Sequence, residues 1–109
     1  MKTSKVLKAL SALAQENRLA IFRLLIQVGP EGISAGSISD QLGIQPATLS
    51  FHLSQLSNAD LVTSQKKGRM IRYSAKTKII KKIAKYLTDN SYKSQQKRAR
   101  KQKVKVEVI

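Results

Sequence analysis

Apolar residues repeat at helical spacing in three segments near the start of the chain. The segments cover residues 3–14, 17–28 and 34–42, and in each one the apolar positions recur every three or four residues. Asn17 has a side chain that can cap the second helix, and Gly43 is suited to close the third. The pattern therefore predicts three helices before residue 44.

A fourth helix is predicted to begin at Pro46, a residue that suits a first helical turn because its missing N–H costs nothing there. Leu49, Leu53 and Leu56 mark its apolar face. The opposite face carries mostly short polar side chains, namely Ala47, Thr48, Ser50, Phe51, Ser54 and Gln55. Such groups can hydrogen-bond base edges without crowding a major groove. The third and fourth helices together predict a helix-turn-helix.

Two residues of the fourth helix allow more than one interpretation. Phe51 is a large apolar group on the polar side. It either packs against a hairpin or a partner helix, or contacts a thymine methyl group or a sugar. His52 lies at the flank of the polar face, and a lone histidine is more often a packing or hydrogen-bonding residue than a metal ligand. We predict no metal site here.

Two short strands are predicted to follow. Residues 61–64 and 70–73 have strand-like patterns, and Gly68 supplies the turn between them. The cations of this hairpin are Lys66, Lys67, Arg69 and Arg72. Cations at a hairpin suit contact with DNA phosphates or with a minor groove. The alternative is a solvated turn that only promotes solubility.

A last helix is predicted over residues 75–89, with isoleucines and a leucine on one side and lysines on the other. The fold class is therefore mainly α with a small β-hairpin (α+β). The order of four helices, two strands and a final helix predicts a winged helix-turn-helix.

The first and last helices both keep an apolar face beyond what one small domain can cover. We predict that these two helices form a two-fold homodimer, which also places two DNA-reading helices about one DNA turn apart. The predicted interface residues are Val6, Leu7, Leu10, Ile79, Ile80, Ile83 and Leu87. The alternative is that both helices fold back onto their own core.

The charge of the chain indicates what kind of partner it binds. The chain has 109 residues and a net charge of +15, from 21 Lys and Arg against 6 Asp and Glu. Such a field attracts nucleic acid. No Lys or Arg occurs between Arg23 and Lys66. Base reading and charge attraction thus lie in different segments, as a specific binder needs, because phosphate contacts position and base contacts specify.

The composition changes again near the end of the chain. We predict a folded domain over residues 1–91 and a basic tail over 92–109 that is disordered when alone. The tail either adds salt-dependent, non-specific DNA affinity or has no function.

Several function classes are disfavoured by what the chain lacks. It has no cysteine, so neither disulfides nor thiol chemistry are available. No run approaches about 18 apolar residues, and no signal peptide is apparent, so a cytoplasmic protein without a membrane partner is expected. One histidine and six scattered acids do not favour an enzyme or a cofactor site.

Four segments together resemble the ArsR/SmtB family of bacterial repressors, and the resemblance covers roughly residues 5–90. They are residues 13–22, 42–43, 47–53 and 68–73. Residues 29–36 and 48–53 are similar to the arsenic-responsive branch in particular. The resemblance implies a homodimeric winged-helix repressor that leaves its promoter when an inducer binds. It places DNA base reading on Gln45, Thr48, Ser50, Phe51, His52 and Gln55. It places the wing on Lys66, Lys67 and Arg69.

The chain departs from this family at the sensor. The family's cysteine pairs would fall on Ser34 and Gly36, or near Ser91 and Tyr92, and none of these is a thiolate ligand. The last helix has Asp89 as its only acid and no histidine. DNA reading carries over, while the metal or arsenite switch does not, and the effector is unknown. Three explanations stay open: another signal, constitutive binding, or engineered residues.

Two functions follow from these patterns. The first is a sequence-specific transcriptional repressor acting as a homodimer on a two-fold operator. The alternative is a weakly specific architectural DNA-binding protein driven by the basic wing and tail. A third class, a protein-interaction module that keeps only the fold, is disfavoured by the cations concentrated at the wing.

Overall fold

The computed structural model describes residues 1–89. Five helices and one antiparallel hairpin follow in the predicted order. The bounds are α1 Thr3–Leu13, α2 Glu16–Val28, α3 Ala35–Leu42, α4 Pro46–Asn58, β1 Val62–Lys67, β2 Met70–Ala75 and α5 Thr77–Thr88. The predicted winged helix-turn-helix is confirmed. The predicted tail, residues 92–109, lies outside the described residues, as do the last two positions of the predicted 1–91 domain.

Local side chains explain where the helices begin and end. Gln15, not Asn17, caps α2: its side chain accepts a hydrogen bond from the Arg18 backbone N–H at 2.9 Å. Ser34 caps α3 by accepting from the Ser37 backbone N–H at 3.2 Å. Gly43 closes α3 in the left-handed conformation, at φ +64°. Gly43 thus ends α3 shortly before α4 begins at Pro46.

A single apolar cluster joins all five helices to the base of the hairpin. The largest side chains that are fully buried in it are Ile21, Leu25, Ile38, Leu49, Leu56 and Leu61. On α2 the buried face differs from a simple three-to-four repeat, because Leu19 and Ile26 stay 45% and 43% exposed. Burial of Leu49 and Leu56 fixes α4 to the core by one side, which leaves its polar side outward.

The hairpin is longer than its apolar pattern predicts. Its register pairs Val62 with Ala75 and Lys67 with Met70, so the turn contains only Gly68 and Arg69. Gly68 has φ +62°, which the first position of a type II′ turn requires. The exposed tip carries cations instead of alternating apolar residues, and the sequence pattern therefore misses it.

A close backbone approach holds the hairpin against the domain. Ile33 and Tyr73 exchange two backbone hydrogen bonds of 3.0 and 2.8 Å, so the segment before α3 forms an isolated bridge with β2. Gly32, at φ +72°, lies beside this bridge. A Cβ there would come within 2.6 Å of the Tyr73 carbonyl oxygen. Only glycine fits this position, and the bridge fixes the angle of the hairpin to α3.

The predicted dimer surface needs a correction. Val6, Ile79 and Ile83 are 2%, 5% and 4% exposed, because they pack into the core of their own subunit. Their assignment to a dimer interface is therefore wrong. Leu7 and Leu87 are 60% and 62% exposed, Leu10 is also exposed and Ile80 is half-buried. One stripe on each helix is thus covered internally and a second apolar edge is not.

An ion-pair cluster ties the end of α4 to both outer helices. The Asp60 carboxylate lies 2.5 Å from Lys76 Nζ and 3.6 Å from Lys5 Nζ. The hydrogen bond from Lys76, with the nearby positive charges, lowers the pKa of Asp60.

Within residues 1–89, no helix is long and apolar enough to cross a membrane.

Candidate nucleic-acid interface

The outward side of α4, here called the reading helix, carries no charged residue. Thr48, Ser50 and Phe51 are exposed on it, and Gln45 is exposed at the residue that precedes its first turn. Gln55 is half-buried at the side that faces α1. Five of the six predicted base-reading residues therefore have at least part of their side chain accessible. This face presents hydroxyl, amide and aromatic groups to a partner.

The sixth predicted base-reading residue, His52, is buried, and its assignment needs a correction. Its side chain is only 6% exposed, because position 52 turns toward α1 and α2 and not toward solvent. Burial is the larger cause, and the Arg18 charge the smaller, of a lowered His52 pKa. A buried, neutral imidazole is unavailable to a base edge. His52 therefore positions the reading helix and is not a base-reading residue.

Arg18 is a residue that the sequence patterns did not single out. Its Nε donates a 2.6 Å hydrogen bond to the Ala12 carbonyl at the end of α1. Its Nη1 lies 3.4 Å from Nδ1 of His52, a geometry in which Nδ1 accepts. One guanidinium thus connects α1 to the reading helix. Only the fold brings positions 12, 18 and 52 together, so no local pattern indicates this contact.

Phe51 remains at the surface of the subunit. It is 57% exposed, and its ring meets the His52 ring edge-on with centroids 5.6 Å apart. It does not pack under the hairpin. The ring is therefore accessible from outside the subunit.

The hairpin is here called the wing, and its cations differ in their exposure to solvent. Lys66, Lys67 and Arg69 are all exposed at or next to the turn. Arg72 is half-buried instead, and its Nη1 donates a 3.1 Å hydrogen bond to the Gly32 carbonyl. This contact braces the base of the wing against the loop before α3. Arg72 therefore has a structural role at the base of the wing, and its contact with the DNA backbone stays a prediction.

A groove that the sequence patterns did not predict separates the reading helix from the wing. Its volume is about 340 Å³, and it lies between α3, α4 and the inner face of the hairpin. No charged side chain lines it. Six hydroxyl residues line it, namely Ser39, Ser50, Ser54, Ser57, Ser64 and Tyr73. We call it the hydroxyl groove.

Two positions at which the resemblance would place sensor cysteines, Ser34 and Gly36, lie at the start of α3. Ser34 is the α3 cap, and Gly36 is an exposed residue in the first turn of that helix. Residues 1–89 contain no group of three or more His, Asp or Glu side chains that could hold a metal ion. Ser91 and Tyr92 lie outside the described residues.

Comparisons with known proteins agree with this architecture. A family model described as a helix-turn-helix domain matches residues 13–65. The nodulation protein NolR of Rhizobium meliloti is 32% identical over 80 residues, which are 73% of this chain and 63% of that protein. The chain therefore spans less than two thirds of the length of this relative.

Two solved structures extend the likeness to the whole fold. An ArsR-like transcriptional regulator from Rhodococcus sp. RHA1 superimposes with a TM-score of 0.74 at 26% identity, over 96% of both chains. The transcriptional regulator HlyU from Vibrio vulnificus gives a TM-score of 0.63 at 30% identity, over 78% of this chain and 85% of that one. Given these matches in sequence and in fold, the chain belongs to the ArsR-like family of winged helix-turn-helix transcriptional regulators, which bind DNA.

Proposed function

We propose that the protein is a transcriptional repressor that binds a two-fold symmetric operator as a homodimer. The observation that carries the proposal is the uncharged, exposed side of the reading helix beside a cationic wing. Neutral groups can discriminate base edges, while cations hold any phosphate backbone. The proposed base-reading residues are Gln45, Thr48, Ser50, Phe51 and Gln55, and the proposed backbone contacts are Lys66, Lys67 and Arg69.

The dimer is proposed to form on the apolar edge that α1 and α5 leave exposed. Leu7 and Leu10 on α1 are 60% and 38% exposed, and Tyr86 and Leu87 on α5 are 37% and 62% exposed. The two helices are joined by a 2.5 Å hydrogen bond between Thr3 Oγ1 and the Tyr86 hydroxyl. Exposed apolar groups shared by two joined helices support a self-complementary contact across a two-fold axis.

The repressor is proposed to have no thiol-based switch, because the chain has no cysteine. Soft metals and arsenite require thiolate ligands. Any inducer of this protein therefore binds through other groups. Its place of action is the cytoplasm, where bacterial DNA lies.

The test is selection of bound fragments from the source genome, followed by footprinting at moderate salt. We expect a protected site with two-fold symmetry upstream of a gene, and loss of transcription from that promoter when the protein is added. The competing function is architectural DNA coating, favoured by the net charge of +15. Diffuse protection that disappears as salt rises would support coating and overturn the repressor proposal.

A further inference from the structure

We propose that the hydroxyl groove receives the sugar-phosphate strand that separates the major groove from the neighbouring minor groove. This inference rests on the proposed function. If the reading helix enters the major groove and the wing reaches the adjacent minor groove, one DNA strand must pass between them. The hydroxyl groove is the space between those two elements.

The register of the hairpin shows which side chains face this strand. Ser64 and Tyr73 are directly opposite each other, so both lie on one face of the sheet. That face is the inner one, since both residues line the hydroxyl groove. Lys66 lies two residues further along the same strand and on the same face, about 7 Å toward the tip. Neutral donors thus occupy the inner part of the path, and a cation stands at its outer end.

Four groove hydroxyls that are not assigned to base reading are free to donate, those of Ser54, Ser57, Ser64 and Tyr73, whereas the Ser39 hydroxyl donates to the Ile44 carbonyl. Within residues 1–89, the hydroxyl groups of Ser64 and Tyr73 form no hydrogen bond with another described residue, nor do those of the three α4 serines. Helical serines often bond back to the preceding turn, and these do not. A phosphodiester is the DNA group that offers acceptor oxygens on every nucleotide, and hydroxyls bind it through charge-assisted hydrogen bonds.

Neutral and cationic contacts to phosphate differ in one measurable respect. A lysine that reaches a phosphate displaces counterions, so its loss reduces the slope of log Kd against log salt by about 0.9. A hydroxyl adds no charge, so its loss weakens binding by a factor that salt does not change. The hydroxyl groove therefore supplies backbone affinity that persists at high salt.

The experiment measures Kd for operator DNA and for unrelated DNA, each from low to high salt, in four single variants of the full chain. Ser64→Ala and Tyr73→Phe remove groove hydroxyls, and the phenylalanine keeps the ring. Ser74→Ala is the matched control, because Ser74 pairs with Thr63 and so lies on the outer face of the same sheet. Lys66→Gln is the charge control on the inner face.

We expect Ser64→Ala and Tyr73→Phe each to raise Kd about tenfold on both DNAs, with the salt slope unchanged. Ser74→Ala should bind like the unmodified protein, and Lys66→Gln should lower the slope. Three results would overturn the inference: unchanged Kd in both groove variants, an equal loss in Ser74→Ala, or a loss confined to one DNA sequence. If the unmodified protein shows no operator preference, the proposed function fails first. If it does and the groove variants bind normally, only this inference fails.

Discussion

The reading helix and the wing are both exposed, yet they differ in charge and in how they are held to the core. The reading helix, residues 46–58, has no charged side chain and is fixed to the core by three buried leucines. The wing extends beyond the core and exposes Lys66, Lys67 and Arg69 around a two-residue turn. Rigid, neutral groups suit discrimination among bases, whereas flexible cations suit any phosphate. The difference predicts that the specificity and the affinity of DNA binding can be altered separately in this protein.

Separation is useful because the chain as a whole is strongly basic. A charge of +15 attracts every DNA sequence, so a charged reading helix would add attraction without discrimination. Because residues 24–65 contain no Lys or Arg, the proposed choice of site depends on hydrogen bonds and apolar contacts. The hydroxyl groove lies between the two regions and shares a property with each: it contacts phosphate, as proposed, but carries no charge.

The largest expected effect comes from a change that touches neither region. Leu7→Glu combined with Leu87→Glu places charges on the exposed apolar edge of α1 and α5. We expect a monomer by light scattering and a loss of operator binding of about 3 kcal/mol or more, since only one half-site can then be engaged at a time. Leu19→Glu is the matched control, because Leu19 is a similarly exposed leucine on α2. A dimeric double variant would contradict the proposed interface.

Charge reversal at the wing tests one side of the comparison. Lys67→Glu with Arg69→Glu should weaken binding to operator and unrelated DNA alike, by about 2 to 4 kcal/mol at moderate salt. The salt slope should fall by about 1 for each cation that contacts a phosphate. Fluorescence titrations on both DNAs measure this, with sedimentation to check that the dimer persists. A loss restricted to the operator would mean that the wing reads bases.

Truncation on the reading helix tests the other side. Thr48→Ala with Gln55→Ala should cost about 1 to 3 kcal/mol on the operator and little on unrelated DNA, because base contacts are specific. The salt slope should stay unchanged. Competition binding against a set of single-base operator variants is the measurement. An equal loss on all sequences would assign these two residues to the backbone.

The sequence predicts the order of elements because periodicity is a local property. The leucines of α4 and the polar side opposite them lie within one helix, so the 3.6-residue repeat alone places Thr48, Ser50 and Phe51 outward. The same repeat places His52 at the border of the outward face, and periodicity alone does not show whether its side chain is exposed. Contact with Arg18, a residue 34 positions away, decides that His52 turns inward.

Other corrections have the same origin. Val6, Ile79 and Ile83 are apolar and periodic, but periodicity does not tell whether a partner helix belongs to the same subunit or to another. Arg72 is a cation on a cationic hairpin, and only the backbone of Gly32, distant in sequence, makes it structural. The hydroxyl groove is formed jointly by α3, α4 and the hairpin, so no single segment predicts it. Contacts between distant segments are set by tertiary packing, which local patterns do not encode.

The smallest expected effect concerns how the reading helix is held. Burial and Arg18 lower the pKa of His52 below its ordinary value of 6.5, so the unfolded chain binds a proton that the folded chain rejects. Stability should therefore be complete above about pH 6.5 and should fall as the pH drops toward the folded pKa. Among the predicted changes this loss should be the smallest, because a single group titrates.

Urea unfolding between pH 5 and 8 measures this dependence, and His52→Asn is the informative variant. An asparagine oxygen can still accept from Arg18 but does not titrate, so the slope of stability against pH should flatten in this window. Asp60 is not expected to interfere, because its lowered pKa places its titration at more acidic pH. Binding that weakens at pH 5.5 in the unmodified protein but not in His52→Asn would locate the loss in the seating of the reading helix. Equal weakening in both proteins would show that His52 does not control it.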